Sequence, residues 1–126
     1  MYRICIKGVY LYNKTKKLMK TNYEKMTSWE IEKASYLILT AKKLGMDLCT
    51  YGEVAVNQYS GHTYLWLEDY NFTLFMPINC DLKREDVYVL HTDFETGEET
   101  EESLKQFQTL NEIEEWISFT EFSNSN

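Results

Sequence analysis

From Thr27 to Gly45 the apolar residues recur at helical spacing, and beyond Gly45 the period changes to two. That change of period favours one kind of fold, a long helix lying on an antiparallel sheet. Thr27-Ser28-Trp29-Glu30 fits a capping box: the threonine oxygen accepts from the backbone three residues on, and the glutamate reaches back. Ile31, Ala34, Leu37, Ile38, Ala41 and Leu44 form one stripe. Lys42 and Lys43 stand in the last turn, where the helix dipole favours cations, and Gly45 supplies the stop. The spacing predicts a helix over 28–44.

Short β-rich runs follow. Leu48–Thr50, Glu53–Gln58, Thr63–Glu68, Phe72–Met76 and Val87–His91 read as strands. Tyr59-Ser60-Gly61-His62 and Asp69-Tyr70-Asn71 read as turns, and Asp93–Gly97 as a hairpin turn into the acidic run Glu98–Glu102. Tight turns between short strands imply an antiparallel meander. Upstream, Arg3–Tyr12 predicts a strand, and Lys16–Thr21 is either a returning strand or a basic loop. A second capping-box match at Thr109–Glu112 precedes Leu110, Ile113, Trp116 and Ile117 on one face, with a frayed tail at 123–126. The expected class is α+β: an antiparallel β-meander sheet of four to six strands packed on one long α-helix, plus a short C-terminal helix. One domain over 1–122 accommodates it.

The aromatic fraction of 15% excludes a disordered chain. No apolar run approaches the roughly 20 residues of a membrane-spanning helix. Charge interrupts the first residues before a leader core forms, and Cys5, Cys49 and Cys80 are odd in number and widely spaced. Both features point to reduced thiols and a cytoplasmic location. Net charge is −7, unevenly distributed: residues 1–46 carry ten Lys/Arg against three Glu, and residues 47–126 carry three against seventeen Asp/Glu. The Lys/Asn/Tyr-rich composition is compatible with an accessory protein of a phage or mobile element.

The strand at Thr63–Glu68 is apolar on both faces. Thr63, Leu65 and Leu67 point one way, and Tyr64, Trp66 and Glu68 the other. Phe75 and Tyr88 extend the second, aromatic face. Two arrangements are open. In the favoured one the C-terminal helix covers that face, with Ile113 and Trp116 on Trp66. In the other the face is exposed and binds a partner, since Tyr and Trp dominate interface hot spots. Tyr59 and Tyr70 in the turns, beside Glu68 and Asp69, suggest an aromatic and acidic rim. The candidate protein-binding residues are therefore Tyr59, Tyr64, Trp66, Glu68, Asp69 and Tyr70, and the expected partner is another protein.

Other chemistry is weakly signalled. Asp47, Glu53, Glu68 and Asp69 could pair as acid and base, yet no spacing among them identifies a reaction. Cys49, His62, Cys80 and His91 lack the paired short spacings of zinc sites. The glycine in Asp93–Gly97 is one place early for a calcium loop. No glycine-rich phosphate loop is present, so no cofactor or metal is expected. The lysines of residues 14–25 are too few against the acidic remainder to favour nucleic acid. An acidic surface imitating nucleic acid, drawn from Glu95–Glu102, is the alternative function, and a small enzyme using the meander carboxylates is a further one.

Overall fold

The computed structural model describes residues 19–125, so the expected Arg3–Tyr12 strand lies outside the described residues. The elements run β1 (Met19–Thr21), α1 (Ser28–Leu44), β2 (Gly52–Val56), β3 (Thr63–Leu67), β4 (Thr73–Met76), β5 (Tyr88–Thr92), β6 (Glu99–Ser103) and α2 (Leu110–Ser125). Single 3-10 turns stand at Tyr23–Lys25, Arg84–Asp86 and Leu104–Gln106.

Helix α1 forms where its local signals agree. Thr27 Oγ1 accepts from the Glu30 amide at 3.1 Å, and Glu30 Oε1 accepts from the Thr27 amide at 2.9 Å. Gly45 ends the helix in the left-handed region at φ 86°. Leu48–Thr50 is turn, which corrects the strand expected there. The Asp47 carboxylate accepts from the Cys49 amide at 2.9 Å, a local bond that competes with extended pairing.

The sheet follows chain order, β1-β2-β3-β4-β5-β6. β2 to β6 form the antiparallel meander, and β1 pairs with β2 in parallel through the α1 crossover. Gly52 is required where β2 meets β3, because a Cβ there would stand 2.3 Å from the Trp66 carbonyl oxygen.

One face of the sheet carries the core. Ala34, Leu37 and Ala41 of α1 are buried with Val54, Leu65, Leu67, Leu74, Met76 and Val89. Ile113 and Ile117 of α2 join the same cluster beside Leu104 and Phe107. Each fully buried Leu or Ile contributes about 1.5–3 kcal/mol of apolar burial. His91, which alternation places on this face, contacts Glu121 of α2 at 3.0 Å. Both helices therefore lie on one side. This corrects the favoured arrangement of α2 over the Tyr64–Trp66 face: Trp116 packs on Phe107, with ring centroids 5.5 Å apart. Ser123 and Asn124, read as a frayed tail, are part of α2, and Asn124 donates to Asp93 at 3.2 Å.

Candidate functional site

The register assembles the second face from two cross-strand rows. Ala55, Tyr64, Phe75, Tyr88 and Ser103 form one; Glu53, Trp66, Thr73, Leu90 and Glu101 form the other. No described helix lies over them. The aromatic side chains cover one another instead. Phe75 stacks on Tyr88 at 5.5 Å and 24°, and His62 tilts onto Phe75 at 4.7 Å. Those contacts leave Phe75 only 7% exposed. Tyr51 meets Trp66 edge-on at 6.0 Å.

Part of this face is concave, about 410 Å³, with Tyr64, Phe75 and Leu90 as apolar lining and Glu99 and Glu101 on the β6 side. Asn57, Ser60 and His62 of the β2–β3 loop close one end. That loop is built by short-range bonds: the Asn57 side chain accepts from the Tyr59 and Ser60 amides at 2.8 and 3.1 Å. Gly61 stands at φ 76°, and a Cβ there would lie 2.7 Å from Ile78. The loop thus holds Tyr59 outward, 99% exposed. Such a turn displays an aromatic ring at small entropic cost, as interface anchors require.

The electrostatics of the face are negative. Glu53, Glu99 and Glu101 belong to it, and among the described residues no lysine or arginine lines the concavity. Tyr64 donates its hydroxyl to Glu53 at 3.0 Å. Partial burial, then the hydrogen bond to Glu53 and that carboxylate's charge, push the Tyr64 hydroxyl up to about 12.

Of the expected binding residues, Tyr64 and Trp66 share this face and Tyr59 stands at one end of it. Glu68 and Asp69 are exposed in the β3–β4 turn, at the opposite end of β3, about 17 Å away along the strand. Tyr70 joins the core cluster, its hydroxyl accepting from the Asp47 amide at 2.7 Å. The two turn tyrosines therefore do not form one rim.

A second concavity, about 490 Å³, lies on the helix side between the β5–β6 turn and α2. It is lined by Phe94, Phe122, Asp93, Glu95, Ser118 and Glu121. Phe94 is 92% exposed. The turn signals of Asp93–Gly97 do not single out Phe94, although a phenylalanine at a turn position is itself a signal. Asp93 accepts from the amides of Glu95 and Thr96 and from Asn124. The Glu95 amide above all holds its carboxyl below the usual range. His91 Nδ1 donates to the Asn71 carbonyl at 2.7 Å, and Nε2 faces Glu121.

The carboxylates weighed for catalysis are dispersed. Glu53 bonds Tyr64 and Asp47 caps Cys49, while Glu68 and Asp69 stand in a turn. None of them lines a described cavity. Among the described residues no three His, Cys, Asp or Glu side chains gather as a metal site. Cys49 is disulfide-bonded, which corrects the reduced thiol expected there, and Cys80 is a free, half-buried thiol.

The molecule is an α+β protein whose sheet bears both described helices on one face and an aromatic, acidic concavity on the other. No family model, curated protein or solved structure matches the chain. No described helix is long and apolar enough to cross a membrane.

Proposed function

We propose that the protein is a small noncatalytic interaction module that receives a protein partner on the open face of its sheet. The observation behind this is the position of Tyr64, Trp66, Phe75 and Tyr88 on the face opposite α1 and α2. Tyr64, Trp66 and Tyr88 are half-buried and Phe75 buried, and a partly accessible aromatic surface rimmed by polar groups is the kind that partners bind. Tyr59, displayed at the edge of that surface, adds an anchor. The acidic residues of β6 divide between the two faces by strand alternation, which favours this reading over imitation of nucleic acid.

The test is affinity capture from the native host, comparing the intact chain with a Tyr59→Ala/Thr73→Lys variant. One change removes the displayed ring, and the other places a charged chain in the concavity. Tyr59 is exposed and Thr73 half-buried outside the core cluster, so the circular dichroism spectrum should not change. A protein captured by the intact chain and lost from the variant supports the open face as the site. Equal capture by both removes it, and no capture by the folded intact chain removes the interaction reading.

A further inference from the structure

β6 is the last strand of the sheet and pairs with β5 alone among the described strands. Its ladder fixes which backbone groups face outward. The Asp93 amide donates to the Glu98 carbonyl and the Leu104 amide to the Val87 carbonyl, each at 2.8 Å. Antiparallel bonding alternates residue by residue. Glu98, Thr100, Glu102 and Leu104 thus turn their backbone groups toward β5, and Glu99 and Glu101 turn theirs away from it. The side chains of Glu99 and Glu101 line the concavity, so the outward backbone groups and the open face meet at the same two residues. Beyond them, the Ser103 hydroxyl donates to the Glu85 carbonyl at 2.8 Å, which closes the run at its C-terminal end.

The edge is also strongly charged. Glu98, Glu99, Glu101 and Glu102 are all exposed, and no lysine or arginine occurs between Arg84 and Lys105. An edge of this kind opposes pairing with a copy of itself. It does not oppose a strand of the opposite charge, for which Glu99 and Glu101, whose outward backbone groups pair with no described strand, give electrostatic complementarity.

We propose that the outer edge of β6 accepts an extended, lysine- or arginine-bearing segment of a partner protein as an additional strand. Neighbouring strands lie about 4.8 Å apart, so a long cationic side chain on the added strand crosses Glu99 and Glu101 into the concavity. There it meets Tyr64 and Leu90 as well as the carboxylates. The inference rests on the open-face reading and names the chemistry of its partner.

The probes are three short synthetic peptides with blocked ends, added to the full chain. One alternates valine and lysine, the second replaces each lysine with glutamate, and the third is the lysine peptide with alternate amides N-methylated. The lysine peptide is expected to bind, with affinity falling as salt rises. It should slow amide hydrogen exchange at Glu99 and Glu101 by about tenfold or more, while the glutamate peptide does neither. N-methylation should weaken binding by about tenfold or more, since it removes ladder hydrogen bonds. Glu99→Gln/Glu101→Gln should weaken the lysine peptide with no change in fold.

Undiminished binding of the N-methylated peptide, unchanged exchange at Glu99 and Glu101, or no binding of the lysine peptide overturns the proposal. If the peptides fail while Tyr59→Ala/Thr73→Lys still abolishes capture of the native partner, the edge inference falls and the open-face reading stands. If capture also fails, both fall.

Discussion

At Lys33 an ammonium group is enclosed by protein, 2% exposed, with Nζ 3.4 and 3.5 Å from the carbonyl oxygens of Pro77 and Ile78. It lies 5.9 Å from the Trp29 ring centroid, so its charge has an aromatic as well as a polar neighbour. The two carbonyls belong to the chain as it leaves β4. Lys33→Met keeps the packed stem and strands those acceptors, and is expected to lower stability by about 1–3 kcal/mol in urea denaturation. Thr63 presents the opposite case. It is fully buried, and its hydroxyl has no hydrogen-bond partner among the described residues. Thr63→Val should raise stability by about 1 kcal/mol on the same assay, because it removes an unpaired group. Asp93 gives a pH signature. Its folded pKa is depressed, so its stabilisation is present above the unfolded carboxyl value of about 3.9 and disappears as pH falls through the folded value. The stability gap between the wild type and Asp93→Asn should be open at neutral pH and closed in strong acid, measured by denaturation at both.

Among the elements, α1 was the most legible because its start, stripe and stop are all local signals. Thr27→Ala removes one half of a capping box in which both bonds are formed, and should cost about 1 kcal/mol in thermal denaturation. The match at Thr109 was legible only in part. Glu112 accepts from the Gln108 amide at 2.7 Å in place of the Thr109 amide, though Thr109 Oγ1 does accept from the Glu112 amide at 3.2 Å. β3 was legible as a strand with two apolar faces, but nothing within it says which face a distant helix covers. That depends on Ile113 and Ile117 meeting Leu104 and Phe107, contacts between residues that no short window contains together. The binding residues divided for the same reason. Tyr64 and Trp66 follow from alternation along one strand, whereas placing Tyr70 required knowing that Asp47 stands opposite it.

For the whole molecule, one-sided packing makes the sheet unequal in its tolerance of change. Leu65 is 1% exposed between β3 and the helices, and Leu90 is half-buried on the open face. Leu65→Ala should cost about 3 kcal/mol or more and Leu90→Ala less than about 1 kcal/mol, compared by urea midpoint. Equal losses would mean that the second face is also core. The strand order has a kinetic consequence. Because each meander strand pairs with its neighbour in sequence, every antiparallel contact closes only a short loop, and loop-closure entropy rises with length. Short-range topology of this kind lowers contact order and speeds folding. The parallel contact of β1 with β2 encloses all of α1, the longest loop closed by any described strand pairing, so it is expected to be the last of these pairings to form.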